Sequence, residues 1–158
     1  MRKNNRNYLA ALMLFVGLAF YWTVCQMIQE RHICFVKNVS ESLPFSYFFG
    51  YKIKEPERGM YVTFEHPKAE ILLAKRVAGL PDDFIAIRNR QVFINGIPLG
   101  YIQTKSPSGM SLSPIHEGEI PKGYVYVAGS HPSSFDSRYA EFGLVAISQL
   151  KELLWPLF

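Results

Sequence analysis

The sequence predicts a mainly β domain behind a single N-terminal transmembrane helix. Two observations support this prediction: one uncharged apolar run of membrane length near the N-terminus, and many short segments rich in β-branched and aromatic residues after it. An Asn95-Gly96 pair between two such segments adds a tight-turn signal. About 130 residues remain outside the apolar run, which is enough for one domain of ordinary size.

The apolar run covers residues 9–28 and carries no charge. About 20 helical residues at about 1.5 Å each span roughly 30 Å, the thickness of the hydrocarbon core of a bilayer. The run ends in bulky and polar residues and not at a small-x-small cleavage site, which favours a retained anchor over a cleaved signal peptide. Because basic residues precede the run, the positive-inside rule predicts a cytoplasmic tail at residues 1–8 and a domain at residues 29–158 on the far side.

The elements predicted after the anchor are strands. Several segments combine β-branched and aromatic residues with flanking turn residues. These segments are 60–64, 71–77, 84–88, 91–94, 123–128 and 144–147. Asn95-Gly96 predicts a hairpin between 91–94 and 97–99. The polar stretch 104–114 predicts an exposed loop, and 149–158 predicts at most a short helix that stops before Pro156.

Charge and composition argue against two classes of protein. The net charge of +4 is modest, and the basic residues are spread among acidic ones, whereas a nucleic-acid-binding domain would have a clustered basic face. Cys25 and Cys34 would lie about 13 Å apart on a continuous helix, beyond disulfide reach. The histidines show no metal-ligand spacing. The sequence therefore predicts no nucleic-acid partner, no metal and no other cofactor.

Two residues have the chemistry of a serine–lysine pair. A serine hydroxyl attacks a carbonyl only when a base takes its proton, and a neutral lysine can serve as that base. Ser42 lies in the polar segment 38–44. Lys75 lies within the apolar segment 71–77, where strand alternation sends it and Arg76 to opposite faces. Neutrality requires burial, because desolvation lowers the pKa of an amine from its usual value of about 10.4.

Each of these segments also has an ordinary explanation. Lysines are rarely fully buried, so an edge lysine in water is the default for Lys75, and a serine near Pro44 is what an entry loop contains. A third segment, 129–139, is turn-like, and its Asp136 and Arg138 would by default be a surface ion pair. The occurrence of all three segments in one order behind one anchor favours the chemical interpretation.

The three segments resemble motifs of the type I signal peptidase superfamily (peptidase S26), and within it the small conjugative-transfer signal peptidases of the TraF type. The family pattern N-x-(S/T)-x-S-x-P is similar to 38–44, and K-R-V-x-G-L-P-G-D is similar to 75–83. The pattern G-x-H-P-x-S-x-D-S-R-Y resembles 129–139. The resemblance runs from Asn38 to the C-terminus and includes the single anchor before it. It implies a signal-peptidase-like β domain.

The resemblance implies a role for each matched residue. Ser42 would be the nucleophile and Lys75 the general base. Ser134 would hydrogen-bond to the lysine and orient it. Asp136, paired with Arg138, would support the site, and an acidic residue at this position is regarded as functionally important in TraF-like enzymes.

Further residues follow from the same motifs. The Ser42 backbone N–H, helped by the Ser40 hydroxyl, would hold the oxyanion, and one such donor is typically worth about 3 to 4 kcal/mol. Ser137 also falls on a matched position and would be a supporting residue. Two positions depart from the family pattern. Asp82 stands where glycine is usual, although glycine tolerates positive φ more readily, and Phe45 replaces a glycine that often follows the serine-motif proline.

By resemblance, the chain is expected to be a single-pass serine endopeptidase of the bacterial inner membrane, with a periplasmic catalytic domain and no cofactor. Its expected partners are the lipid bilayer and an exported precursor protein, with a pilin precursor of a conjugation-type (type IV) secretion system favoured and both hydrolysis and cyclisation left open. A general signal peptidase that removes leader peptides is the alternative enzyme; the short chain, the single anchor and His131-Pro132 argue against it. A non-catalytic anchored component of a secretion system is the alternative from another class.

Overall fold

The computed structural model describes residues 2–31, 34–39, 42–52, 55–66 and 71–157. The chain divides into two units, Met1–Ile33 and Cys34–Phe158. The first unit is one helix, α1 (Arg2–Arg31), within which Asn7–Gln26 has a mean hydropathy of 1.9 and the length of a membrane span. The helix is longer than the apolar run 9–28 and includes polar residues at both ends.

The second unit consists of two antiparallel sheets. Its strands, in chain order, are β1 (Cys34–Lys37), β2 (Tyr47–Lys52), β3 (Tyr61–Glu65), β4 (Leu72–Gly79), β5 (Phe84–Arg88), β6 (Gln91–Ile94), β7 (Ile97–Tyr101), β8 (Gly118–Glu119), β9 (Tyr124–Ala128), β10 (Val145–Ala146) and β11 (Leu150–Pro156). The larger sheet has the order β1-β2-β11-β3-β4-β9-β10, and the smaller has the order β7-β6-β5-β8. The prediction of a mainly β domain behind one N-terminal apolar helix is confirmed.

The predicted strands between residues 60 and 128 are present as β3, β4, β5, β6 and β9, and β5 and β6 have the predicted bounds. The predicted hairpin joins β6 to β7, and both of its turn residues, Asn95 and Gly96, have positive φ, as a tight two-residue turn of this kind requires. The predicted strand 144–147 is only partly present. It is reduced to the short β10, and a 3-10 helix (Ile147–Gln149) follows.

The prediction of a short C-terminal helix at 149–158 is wrong, because Leu150–Pro156 forms β11. Leu150, Leu153 and Leu154 have the i, i+3, i+4 spacing of a helix face, yet all three are buried in a strand between β2 and β3. The register of β11 against β3 shifts between Leu150 and Leu153. A bulge of this kind interrupts the two-residue alternation of a strand, so the apolar pattern mimics that of a helix.

Buried apolar side chains form three clusters in the β unit. One joins the smaller sheet to β9 through Ile85, Ile94 and Tyr126. In a second cluster, Val62 and Val77 of the larger sheet pack with other buried apolar side chains. A third cluster lies at the β2 and β11 end of that sheet. Residues 104–114 lie outside the main strands and are mostly exposed, as predicted for a loop. The candidate site lies on the larger sheet, where β4 and β9 are neighbours.

Candidate active site

Ser42 lies in a turn between β1 and β2. The next residue, Leu43, is buried against Phe48, and the Asn38 side-chain amide donates hydrogen bonds to the backbone oxygens of Leu43 and Phe45. The Ser42 carbonyl oxygen accepts the Ser130 N–H at 2.7 Å. Contacts with the β unit therefore hold the Ser42 carbonyl oxygen and the residue that follows Ser42. Ser40, the expected helper at the oxyanion, lies outside the described residues.

Lys75 lies in the middle of β4, where β3 and β9 flank the strand. Its cross-strand partner is Val62, which is fully buried, and the lysine itself is 4 % exposed. The neighbouring Arg76 is less buried, as strand alternation predicts. The Lys75 Nζ atom lies 2.8 Å from Ser42 Oγ. The default interpretation of Lys75 as an edge lysine in water is wrong, because β4 is an inner strand of the sheet and Lys75 is buried.

Burial lowers the pKa of Lys75, since the ammonium form loses its hydration inside the sheet. Asp136 acts in the opposite direction and raises the lysine pKa, whereas the positive charge of Arg138 lowers it. Asp136 and Arg138 have opposite charges, so their effects on the lysine pKa oppose each other. Desolvation is the largest cause of the lowered pKa. A larger fraction of Lys75 is therefore neutral near pH 7 than in a solvated lysine, and only the neutral amine can accept a proton.

Asp136 and Arg138 form a buried ion pair, not the surface pair expected by default. They are 0 % and 3 % exposed, and Arg138 Nε lies 2.9 Å from Asp136 Oδ1. Arg138 also donates to the backbone oxygens of Tyr101, Pro132 and Ser134. Burial alone disfavours the charged guanidinium, but the hydrogen bond and charge of Asp136 outweigh it and raise the pKa of Arg138. The pair therefore ties the segment before it to β7.

Ser134 and Ser137 are both buried, but they make different contacts. Ser137 Oγ accepts the Val127 N–H at 3.1 Å, which joins the segment after β9 back to that strand. Ser134 is 5 % exposed, and its Oγ has no hydrogen-bond partner among the described residues. The expected hydrogen bond from Ser134 to Lys75 is therefore absent in this structure. The Ser134 hydroxyl lies instead against Gly129.

Gly129 follows β9 at the point where the three predicted segments meet. A Cβ atom at this position would lie 2.1 Å from Ser134 Oγ and 3.2 Å from the Ser42 carbonyl oxygen. The Gly129 N–H donates to Asp136 Oδ2 at 2.8 Å. Only glycine leaves room for this approach of Ser42, Ser134 and Asp136, because every other residue type has a Cβ atom there.

A cavity of about 230 Å³ opens beside Ser42. Three of its other lining residues, His131, Ser133 and Phe135, were not singled out as site residues from the sequence. The sequence could have indicated them, because they lie in the segment 129–139, which also contains the candidate site residue Asp136. Within the described parts of the chain, no cluster of three or more His, Cys, Asp or Glu side chains could hold a metal ion.

A serine hydroxyl within hydrogen-bond reach of a buried lysine is the arrangement used by the Ser–Lys variant of serine peptidases. Here it lies in an antiparallel β unit that follows an apolar helix of membrane length. These features define the class of protein as a signal-peptidase-like β domain with a candidate Ser–Lys site.

Comparison with protein families identifies that class more closely. The chain belongs to the family of signal peptidases described as "Signal peptidase, peptidase S26", whose model matches residues 6–152. It is 33 % identical over 88 residues to the conjugal transfer protein TraF of Agrobacterium fabrum, which covers 54 % of this chain and 48 % of TraF. It is also 33 % identical over 88 residues to signal peptidase I U of Bacillus subtilis, covering 51 % of this chain and 47 % of that protein.

The chain thus spans about half the length of the curated relatives it matches. Among solved structures, a signal peptidase I from Enterococcus faecalis V583 is 26 % identical, with a TM-score of 0.45; the match covers 66 % of this chain and 100 % of that one. The resemblance to signal peptidases that the three sequence motifs indicated is confirmed by the family match.

Proposed function

We propose that this protein is a membrane-anchored serine endopeptidase in which Ser42 is the nucleophile and Lys75 the general base. The observation that carries the proposal is the 2.8 Å separation of Lys75 Nζ and Ser42 Oγ, with the lysine buried and its pKa lowered. A non-catalytic assembly role is disfavoured by the same observation, because a structural β domain does not need a desolvated amine against a serine hydroxyl.

The chemistry follows from the two groups. Neutral Lys75 takes the proton of the Ser42 hydroxyl as Ser42 Oγ attacks the scissile carbonyl carbon, and the carbonyl oxygen becomes an oxyanion. When the tetrahedral intermediate collapses, the lysine returns the proton to the leaving amine, and an ester to Ser42 remains. Attack of water on this ester gives hydrolysis, whereas attack of an amine at the other end of the precursor would give a cyclic product.

The proposed supporting residues act on the position of these groups. The buried Asp136–Arg138 pair holds Gly129 and the segment before Asp136 in place through the hydrogen bonds described above. Ser134 would orient Lys75 if its hydroxyl turns toward the amine, since the hydroxyl has no competing partner among the described residues. The Ser42 N–H and Ser40 remain the proposed oxyanion donors.

We propose that the substrate is an exported precursor protein, cut at the outer face of a bacterial inner membrane, with a pilin precursor as the favoured substrate. The similarity to the conjugal transfer protein TraF supports this choice. General removal of leader peptides is the second candidate. The similarity to signal peptidase I U supports it, and the sequence identity is the same as to TraF. The N-terminal apolar helix of membrane length supports the anchored position.

The test is coexpression of the full chain with a candidate pilin precursor encoded in its genetic neighbourhood, and measurement of the intact mass of the product. Wild-type enzyme should shorten the precursor, and Ser42→Ala should leave it uncut. Ser46→Ala is the matched control, because Ser46 is exposed in the same segment and should keep full processing. A product lighter by one water than the linear form would indicate cyclisation.

Two outcomes would change the proposal. Unchanged processing by Ser42→Ala would exclude Ser42 as the nucleophile and favour a non-catalytic assembly role. An uncut pilin precursor together with Ser42-dependent cleavage of an unrelated secretory precursor, supplied in the same cells, would favour the general leader peptidase.

A further inference from the structure

Ser42 lies in an irregular loop between β1 and β2. The last residue pair of the β1–β2 ladder is Lys37 and Tyr47, so residues 38–46 lie beyond the ladder. Backbone carbonyl oxygens in such a loop need donors from elsewhere, because a polar group that is withdrawn from water without a partner is costly. Pro44 adds to this need, since proline has no backbone N–H to offer.

Asn38 supplies donors to three of these oxygens. Its backbone N–H donates to the Ser46 oxygen at 2.9 Å, which extends the ladder by one hydrogen bond. Its side-chain amide donates to the Phe45 oxygen at 3.0 Å and to the Leu43 oxygen at 3.3 Å. Because one carboxamide NH2 group has two donor hydrogens, a single side chain can hold both oxygens. The amide therefore connects the end of β1 to the residue that directly follows Ser42.

Other contacts restrict the Ser42 backbone, but they do not replace the Asn38 amide. The Leu43 side chain is buried in a cluster with Phe48, and the Ser42 carbonyl oxygen accepts the Ser130 N–H. Apolar packing is non-directional, and a single hydrogen bond tolerates a broad range of angles at its acceptor. The two amide hydrogen bonds fix the orientation of the backbone after Ser42.

We propose that Asn38 is a positioning residue for the Ser42 nucleophile. Its amide holds the loop in the conformation that keeps Ser42 Oγ 2.8 Å from Lys75 Nζ. The inference rests on the proposed peptidase function and deepens it, since Asn38 acts through the loop and not on the substrate. A loop without these bonds would populate several conformations, and only the fraction with Ser42 beside Lys75 would react.

Asn38→Leu removes both donors and keeps the side-chain shape, because leucine branches at Cγ as asparagine does. Two neutral hydrogen bonds correspond to about a 5- to 100-fold change in the population of the productive loop, so kcat should fall by about that factor. KM should stay within about twofold of the wild-type value, since the amide binds backbone oxygens of its own loop.

The pH profile distinguishes positioning from a loss of folded protein. A smaller folded fraction lowers the rate but leaves the ionisation of Lys75 unchanged in the molecules that remain folded. A Ser42 loop that moves away admits water to Lys75, which raises the lysine pKa toward its usual value. The midpoint of kcat/KM should therefore move to higher pH in Asn38→Leu. Asp136 and Arg138, the charged groups that act on this pKa, are unchanged in the variant.

Asn38→Asp separates hydrogen-bond donation from shape. The carboxylate has the size of the amide but accepts and cannot donate, so it would face two carbonyl oxygens. Its kcat should fall at least as far as that of Asn38→Leu. Where Asn38→Leu is too slow to measure, Asn38→Ser, which keeps one shorter donor, takes its place with the same expected directions.

The experiment uses the full chain in detergent and a quenched fluorescent peptide that spans the cut site of the processed precursor. Both kcat and KM are measured between about pH 6 and about pH 9. Gln91→Leu is the matched control, because it also replaces a carboxamide by leucine, but in β6 of the smaller sheet, where an apolar residue is well accommodated. It should keep the wild-type kcat and pH midpoint.

Two results would overturn the positioning role: a wild-type kcat in Asn38→Leu or Asn38→Asp, or a lower kcat in Asn38→Leu with an unchanged pH midpoint. Either result, together with an inactive Ser42→Ala enzyme, would leave the proposed peptidase intact. Cleavage by Ser42→Ala at the wild-type rate would refute the proposed function, and the role of Asn38 would fail with it.

Discussion

Lys75 lies in a strand flanked by two others and is 4 % exposed, and its Nζ atom has Ser42 Oγ as a partner. Burial disfavours the ammonium form and lowers the lysine pKa, while the opposing effect of Asp136 is countered by the positive charge of Arg138. A lone solvated carboxylate near the amine would have the reverse effect. Because Asp136 is paired with Arg138, it raises the pKa of Lys75 less than an unpaired carboxylate would.

Activity should rise with pH through the lowered pKa of Lys75. Below that pKa the amine is protonated and cannot accept the Ser42 proton; above it the neutral base accumulates and the rate reaches a plateau. The measurement is kcat/KM for one peptide between about pH 6 and about pH 9. A flat profile over this range would argue against a lysine base, as would any activity in Lys75→Arg, whose guanidinium does not deprotonate.

Removing one partner of the buried ion pair should destabilise the fold strongly. Asp136→Asn leaves the Arg138 guanidinium buried without its counter-charge, and we expect a loss of about 3 to 5 kcal/mol in the free energy of unfolding. Chemical denaturation of the full chain in detergent measures it. The exposed pair of Lys151 and Glu65 is the matched comparison, and Glu65→Gln there should cost less than about 1 kcal/mol. Equal losses in the two variants would contradict the prediction.

At the scale of elements, the turn after β4 sets where the lysine-bearing strand ends. Asp83 accepts the Leu80 N–H at 2.6 Å and also binds Arg58 and the Asn95 side-chain amide. Asp82, which replaces the glycine of the family pattern, adopts a positive φ of 68°. The turn thus keeps a conformation that glycine adopts more easily, with an exposed aspartate in its place.

The strain at Asp82 predicts opposite effects for two substitutions. Asp82→Val should lower the free energy of unfolding by about 1 to 2 kcal/mol, because a β-branched residue is poorly tolerated at positive φ. Asp82→Gly should change it by less than about 1 kcal/mol, since relief of strain is offset by the greater freedom of the unfolded chain.

Thermal or chemical unfolding of both variants tests this prediction. Arg88→Val is the control, because Arg88 is exposed on a strand, where valine is well accommodated. A valine that is tolerated equally well at residues 82 and 88 would show that the turn relaxes to a negative φ.

The strands β1, β2 and β8 were not predicted. β8 has only two residues, too few for alternation to stand out. Gly50 lies within β2, where glycine ordinarily weakens a strand. A Cβ atom at Gly50 would lie 2.6 Å from Cys34 Sγ, so any other residue there would require the cysteine side chain to move.

At the scale of the whole molecule, the last strand is inserted between strands from much earlier in the chain. β11 separates β2 from β3, so the strand order of the larger sheet depends on residues near the C-terminus. Neither Ser42 nor Lys75 lies in β11, but this strand connects β2 to β3 in the sheet that carries Lys75.

A chain that ends at Gln149 should therefore lose cooperative unfolding and all activity, although both proposed catalytic residues remain. A chain that ends at Pro156 keeps β11 and is the control; it should unfold cooperatively. Denaturation curves and resistance to added protease measure both. A cooperative transition in the shorter chain would show that β2 and β3 can pair without β11.

Five strands and one hairpin could be predicted because their local patterns and their tertiary positions agree. In β5 and β6 the β-rich residues and the Asn95-Gly96 turn are contiguous in sequence, so no distant contact is needed to define them. Ser42 and Lys75 were identifiable because the residue types suit one chemistry and because the flanking motifs resemble a family. The bulge in β11 could not be predicted, since it is defined only by pairing with β3.

The amino-acid sequence alone determined the apolar helix of membrane length, the mainly β character of the rest and the identity of the candidate serine and lysine, because these depend on residue type and local spacing. Tertiary structure alone decided that Lys75 is buried 2.8 Å from Ser42, that Asp136 and Arg138 are buried together, and that the Ser134 hydroxyl faces Gly129 and not the lysine. Each of these depends on which distant strands pair, and that pairing is set by the packing of the whole core.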